Sequence, residues 1–477
     1  MTDTAADSVR AASTYVQDLA TPTLRLGVTG LSRAGKTVFI TALVRTLTTA
    51  TAQPPIGARL RPGFRAYLEP QPDDDIPRFA YEEHLAVLAG EPPGWPESTR
   101  QISQLRVALE WEPSDWTRRT LGIGRRLHVD IVDYPGEWLI DLGLMSQTYE
   151  HWSANALARL ASAPRSATTS AWDAFSRQLA PGIADVEATA IKGAALYTAW
   201  LSEARDNRKQ VLTVAPGRFL MPGDLAGSPL LTFFPMSKSG DHPGALHAFL
   251  KGRFESYKKK VVVPFFENHF SRLDRQIVLV DALGALNAGG DAMHELDDAL
   301  ESVLAAFRPG AQSWLYALLG RRIDRILFAA TKADHLNRHN HDRLRAILGA
   351  VVQRASERAE MAGAEIDVTA LAALRATEDV DRTSGNDTLP CIRGIPRPGE
   401  TIAGRHFDGS KSAVIFPGDL PSDPHEAFAT ETLPAGRLNF ARFQPPRIAT
   451  AADGSEGYWP HIGLDHAIRF LIGDRLT

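Results

Sequence analysis

Apolar positions along this chain follow two periods, and the switches between them mark out the elements. Short apolar runs bounded by turn residues read as buried strands, and longer segments with apolar positions three or four apart read as helices. Leu24 to Thr29 is the first run. It passes into Gly30-Leu31-Ser32-Arg33-Ala34-Gly35-Lys36-Thr37 and then into a helical stretch from Val38 to Leu47. Gln101 to Trp111 alternates as a strand. Leu127 to Val132 is a further run that ends in Asp133-Tyr134-Pro135-Gly136-Glu137-Trp138. Gln276 to Val280, Arg325 to Ala330 and Ile366 to Leu371 complete the strand series, with helices expected at Ala292 to Phe307, His341 to Ala362 and Asp465 to Leu476. A helix of moderate amphipathicity is expected at Asp7 to Leu19, ended by Thr21-Pro22. Strands alternating with helices predict an α/β, three-layer fold with a mainly parallel sheet.

Three segments break the pattern. Between residues 140 and 272, Ala, Leu, Arg and Glu dominate, with a Pro/Gly-rich gap at 215–243; this predicts a large helical insertion (140–272) in a core made of 1–139 and 273–477. Residues 50–100 read as loop with one short helix near Tyr81 to Ala89, and 380–460 as strand pieces such as Ser412 to Phe416 among prolines and glycines.

The segment from Gly30 to Thr37 fits G-x-x-x-x-G-K-[ST] between a strand and a helix, the context that makes the pattern meaningful. Glycines let backbone N–H groups of the loop, from Gly30 through Ser32, Arg33, Ala34 and Gly35 to Val38, turn inward around phosphates. The helix start adds its positive dipole end. Lys36 is expected on the β- and γ-phosphates and the Thr37 hydroxyl on Mg²⁺.

Asp133-Tyr134-Pro135-Gly136 fits D-x-x-G, in which a strand-end aspartate holds Mg²⁺ through water and the glycine N–H meets the γ-phosphate. Thr331-Lys332-Ala333-Asp334 fits [NT]-K-x-D. A carboxylate there can accept from N1–H and the exocyclic amine of guanine, a donor pair adenine lacks, while the Lys332 stem covers the base. A backbone contact to the guanine oxygen is expected within Ala373 to Thr377, after the last strand, from Ala373 and Leu374. Thr99 is the expected switch I ligand to Mg²⁺. Asp281 keeps a second reading open, since Ile277-Val278-Leu279-Val280-Asp281 also looks like the metal-binding strand of an ATPase. For hydrolysis, Glu137 occupies the place where Ras-like enzymes carry a water-orienting glutamine. Arg33 resembles the loop arginine of guanylate-binding proteins, which acts as an internal finger.

The order of these segments resembles the Ras-like GTPase core. Closer still, Gly-Leu-Ser-Arg-Ala-Gly-Lys-Thr, Trp95-Pro96-x-x-Thr99, Asp-Tyr-Pro-Gly-Glu-Trp, Leu279-Val280-Asp281 with Leu286-Asn287-Ala288-Gly289, and Thr-Lys-Ala-Asp-His resemble the YcjX-like P-loop NTPases of bacteria over about residues 20–475. The resemblance implies a GTPase-type core using GTP/GDP and Mg²⁺, a helical insertion after switch II, a link to stress responses and a membrane-bound partner at the inner membrane.

Composition narrows the picture further. A net charge of −4 gives no global sign of a nucleic-acid partner. One cysteine, Cys391, excludes an internal disulfide framework and a cysteine-based zinc site, and the histidines show no metal-ligand spacing. No stretch approaches the roughly 18 apolar residues of a membrane span, and the polar N-terminus does not read as a signal peptide. A cytoplasmic protein is expected, peripheral at the inner membrane through its partner. Lys258-Lys259-Lys260 beside Val261-Val262-Val263-Pro264-Phe265-Phe266 reads either as a membrane or partner site or as a solvated turn before a buried helix.

Overall fold

The strands form one seven-stranded sheet, whose central members have two faces to bury. A computed structural model describes residues 21–30, 34–49, 62–97, 101–112, 125–179, 183–206, 216–237, 244–305, 323–361, 363–384, 387–402, 404–429, 438–448 and 457–476. Its strands are β1 (Thr23–Gly30), β2 (Arg65–Glu69), β3 (Ser103–Trp111), β4 (Arg125–Asp133), β5 (Arg275–Val280), β6 (Arg325–Ala330) and β7 (Glu365–Ala370), in spatial order β2-β3-β4-β1-β5-β6-β7. From β4 through β7 every neighbouring pair is parallel, while β3 runs antiparallel to β4 and β2 antiparallel to β3.

Alternate residues of the central strands enter different cores. Ile277, Leu279, Leu327 and Ala329 pack with α1 (Lys36–Thr48), α2 (Tyr81–Ala89) and a C-terminal helix at Leu464–Ile472. Val278, Val280, Ile326, Phe328 and Ala330 pack on the opposite face, against helices Ala282–Ala288, Gly290–Ala305 and His341–Met361. This is the three-layer arrangement, and it explains why these strands read as continuous apolar runs rather than alternating ones.

Between β4 and β5 the chain is helical. The helices are α3 (Glu137–Ile140), α4 (Tyr149–Ser162), α5 (Ala167–Ser176), α6 (Val186–Asp206), α7 (Ala245–Tyr257) and α8 (Val263–Asn268), with a one-turn helix at Gly217–Leu220. Thr148 caps α4 by accepting from the His151 N–H, and Ser166 with Thr169 forms a capping box at α5. Their shared core is aromatic: Trp152 stacks on Phe254 at 5.3 Å and meets Tyr197 and Phe233 edge-on. The helices of the core domain follow as α9 (Ala282–Ala288), α10 (Gly290–Ala305), α11 (His341–Met361) and α12 (Leu464–Ile472). A small three-stranded sheet, β8 (Glu378–Ser384), β9 (Asp387–Gly394) and β12 (Ala413–Ile415), lies after β7, with a hairpin of β10 (Thr401–Ile402) and β11 (Arg405–His406) between.

Three local expectations are corrected. Residues 65–69, read as loop, form the edge strand β2. A separate helix, α9, precedes α10. The lysine run is no turn: Lys258–Val262 is a π-helical segment that carries α7 into α8, with Lys259 and Lys260 exposed. The expected helix at residues 7–19 lies outside the described residues.

Candidate nucleotide-binding site

β1 has a neighbour on both sides, so the loop after it leaves the middle of the sheet's carboxyl edge. Register sets the flanks: Val28 lies opposite Asp133 of β4, and Gly30 opposite Leu279 of β5. Two glycines make the loop possible. A Cβ on Gly30 would stand 2.8 Å from the Leu279 carbonyl oxygen, so the loop can leave β1 only with hydrogen at that position. Gly35 has φ of 83°, the left-handed region, and sits at the N-cap of α1 with no side chain satisfying the first amides of the helix. Those amides and the helix dipole face an anion site. The Lys36 ammonium folds back to donate to the Gly30 carbonyl at 3.3 Å, across the mouth of the loop. Leu31, Ser32 and Arg33 lie outside the described residues.

Thr37 is buried, and its hydroxyl donates to the Glu97 carbonyl at 3.5 Å. The segment Trp95–Glu97 therefore runs beside Thr37, held there by the Trp95 indole N–H, which donates to the Phe443 carbonyl at 2.8 Å. Thr99, two residues further, lies outside the described residues. Asp133 is buried at the end of β4. An all-oxygen pair of a hydroxyl and a carboxylate suits a hard divalent cation such as Mg²⁺.

After Asp133 the chain turns into the helical insertion. The Tyr134 hydroxyl donates to the Gln276 side-chain oxygen at 2.8 Å, and its ring meets Phe265 and Phe270 edge-on. Gly136 precedes the first turn of α3, and Glu137 opens it, buried. Trp138 donates to the Met221 carbonyl at 3.0 Å and carries the Arg218 guanidinium 3.2 Å from its ring centroid. Gly217 packs on the Glu137 backbone so closely that a Cβ would fall 1.9 Å from the Glu137 carbonyl oxygen. The buried Asp141 carboxylate accepts from the Gly217 N–H at 2.7 Å, the Arg218 N–H at 3.3 Å and the Tyr257 hydroxyl at 2.6 Å. Burial pushes Asp141 up to about 6, against the pull of those three donors.

On the other flank of β1, the Thr331 N–H and hydroxyl both donate to the Val280 carbonyl, at 2.9 and 3.2 Å, which ties the loop after β6 to β5. Lys332 follows at φ 61°, the one non-glycine residue with positive φ among the described residues. Its ammonium pairs with the Asp281 carboxylate. Asp281 also caps α9 by accepting from the Gly284 N–H at 3.1 Å. The Asp281 carboxylate is thus engaged with the lysine of the loop after β6 and with a helix start. Asp334 is buried, and its carboxylate accepts from the Ala376 N–H at 2.9 Å, while the Thr377 hydroxyl donates to the Asp334 carbonyl. The loops after β6 and β7 are thus joined. Leu374 is buried in the core beneath α12, and the Ala373 carbonyl accepts from the Trp459 indole. Sequence reasoning missed Trp459, which lies 86 positions from its partner. His335, beside Asp334, is held below the usual histidine range by burial.

A glycine loop between the central strand and its helix, with two further strand-end loops converging at the same sheet edge, defines a P-loop nucleotide-binding fold. The model of the YcjX-like family, DUF463, matches residues 24–476, and the chain belongs to that family. It is 37% identical over 474 residues to the Ras-like GTPase YcjX of Escherichia coli (strain K12), covering 95% of this chain and 96% of that one. It is 33% identical over 476 residues to the Ras-like GTPase YcjX of Shewanella oneidensis, covering 95% and 94%. A solved chain of the signal recognition particle receptor SRb-GTP/SRX complex from Chaetomium thermophilum aligns over 74% of this chain and 92% of its own, at 14% identity; its TM-score of 0.25 is too low to bear on the fold. No helix among the described residues is long and apolar enough to cross a membrane.

Proposed function

We propose that this protein is a Mg²⁺-dependent switch that binds and hydrolyses GTP and passes its nucleotide state to the helices between β4 and β5. The observation that carries the guanine assignment is the Asp334 carboxylate, buried and joined to Ala376, so that the two base-side loops share one anchor. The names of the two relatives support the same reading. In this proposal Gly30, Ser32, Arg33, Ala34, Gly35, Lys36, Thr37 and Val38 hold the phosphates, and Gly136 senses the γ-phosphate. Thr331, Lys332 and Asp334 hold the base, with a backbone contact from Ala373 or Leu374. Thr37, Asp133 and Thr99 are the residues that would hold Mg²⁺, whose charge, when bound, offsets that of the phosphates. Arg33 stabilises charge in the transition state and Glu137 orients water. The helical relay comprises residues 140–272, and its output is a membrane-bound partner in a stress response.

The test is a titration of wild type and Asp334→Asn with labelled GTP and ATP. Wild type is expected to prefer GTP by a factor of roughly 10³ or more, because adenine lacks the donor pair that guanine offers to the buried carboxylate. Asp334→Asn is expected to lose most of that preference. A variant that keeps the full preference overturns the guanine assignment.

A further inference from the structure

Trp459 lies far along the chain from every residue assigned above, 86 positions from Ala373, in a segment with no chemical signature of its own. It is nevertheless fully buried, and it is the bulkiest side chain in that class among the described residues. Its indole N–H donates to the Ala373 carbonyl at 2.7 Å, and the Arg45 guanidinium of α1 stands 5.3 Å from its ring centroid. The same segment grips the loop after β7 through backbone bonds. The Arg375 N–H donates to the Pro460 carbonyl at 2.8 Å, and Ala372 and Ile462 exchange two bonds of 2.9 Å. Gly463, at φ 71°, then lies so close to β7 that a Cβ would stand 2.3 Å from the Ala370 carbonyl. Beyond it, α12 is anchored in the core by Leu464, Ala467, Ile468 and Leu471.

This grip has a directional consequence. The peptide unit between Ala373 and Leu374 is planar and trans, so its C=O and N–H point opposite ways. Fixing the carbonyl on the indole fixes the Leu374 N–H away from it. We infer that Trp459 is a positioning residue for the base: it sets the peptide between Ala373 and Leu374 so that the Leu374 N–H donates to the guanine O6, and through Arg45 it ties that setting to the helix of the phosphate loop. The inference rests on the GTP reading above.

The probe set is GTP, inosine triphosphate and 6-thioguanosine triphosphate. Inosine lacks only the 2-amino group that Asp334 would accept from. The thio analogue keeps both donors and replaces O6 by a large, weak acceptor. Wild type is expected to bind GTP more tightly than either. Trp459→Phe, which keeps an aromatic ring beside Arg45 and removes the N–H, is expected to weaken GTP and inosine triphosphate alike by roughly tenfold. Its ratio of GTP to thio-GTP affinity should fall toward one. If Trp459→Phe does not fold, benzothienylalanine at the same position, isosteric with tryptophan but lacking the N–H, takes its place in the same comparison. A wild type that does not prefer GTP over inosine triphosphate defeats the guanine reading itself. A wild type that does prefer it, joined with a variant whose GTP to thio-GTP ratio is unchanged, overturns the role of Trp459 alone. Equal weakening of all three nucleotides, or no thio discrimination in wild type, overturns it as well.

Discussion

Gly217→Ala tests whether the helical insertion is mechanically joined to the segment that follows Gly136. The added methyl would stand 1.9 Å from the Glu137 carbonyl oxygen and 2.5 Å from its carbon. Both partners are backbone, so no side-chain rotation relieves the overlap. The two chains must separate by more than about 1 Å to reach normal contact. Overpacking of this kind costs about 1–3 kcal/mol. The separation also strains the Gly217 N–H bond to Asp141, 2.7 Å long, and a lost hydrogen bond to a carboxylate adds about 1.5–3 kcal/mol. A total of about 2.5–6 kcal/mol follows if both costs apply in full. Gly143→Ala is the matched control, because a Cβ there meets nothing within 4 Å. Urea unfolding reads the stability, and single-turnover GTP hydrolysis reads the site. Gly217→Ala should lower both, the second by more than about tenfold, since misplacement near 1 Å is costly in catalysis. A Gly217→Ala protein that matches Gly143→Ala in both measurements refutes the packing argument. A destabilised variant with wild-type turnover refutes the coupling while leaving the packing intact.

Two further outcomes are expected. Arg33→Ala should lower kcat by roughly 10²-fold or more while the Kd for GTP stays within about threefold, as steady-state kinetics and equilibrium titration would report; an unchanged kcat removes the internal finger. Asp141 gives a pH effect of defined sign. Its folded pKa of about 6 lies above the ordinary aspartate value of 3.8, so between these values the folded protein binds more protons than the unfolded chain. From this group alone, stability therefore rises as pH falls through 6, and the ionised carboxylate costs up to about 3 kcal/mol above it. Urea midpoints at pH 4.5 and 7.5, taken as the difference between wild type and Asp141→Asn, should shift in that sense. A pH-independent difference would show that Asp141 is not raised.

The parts of the fold that could be read directly are those whose physics is local. The central strands β5 and β6 are buried on both faces, so their sequences carry unbroken apolar runs, and the chemistry sits at strand ends as short fixed words. β2 escaped because an edge strand needs little apolar surface. In Arg65-Ala66-Tyr67-Leu68-Glu69 no residue is buried, and the segment is held by its ladder to β3 together with the Tyr67 bond to Glu110. α9 escaped because it is seven residues long and depends on the Asp281 cap, and Asp281 had been weighed as a metal ligand. The grip of residues 459–463 on the loop after β7 and the seat of Gly217 on Glu137 join positions far apart in the chain. Each depends on close backbone approach, which leaves no periodic trace.

In the proposed switch the six residues from Asp133 to Trp138 carry two tasks at once, and different positions take each task. Asp133 and Gly136 would serve the phosphate side. Tyr134 and Trp138 are packed among Phe265, Phe270 and Arg218, inside the core of the helical insertion. A γ-phosphate that draws Gly136 toward it therefore cannot move a free loop. It must move α3, and with α3 the Gly217–Arg218 corner bonded to Asp141 and the Tyr257 end of α7. Packed aromatic cores shift between discrete arrangements rather than deform continuously. The output expected of such a switch is a displacement of α7 and α8 as a unit, which carries the exposed Lys259 and Lys260 with them.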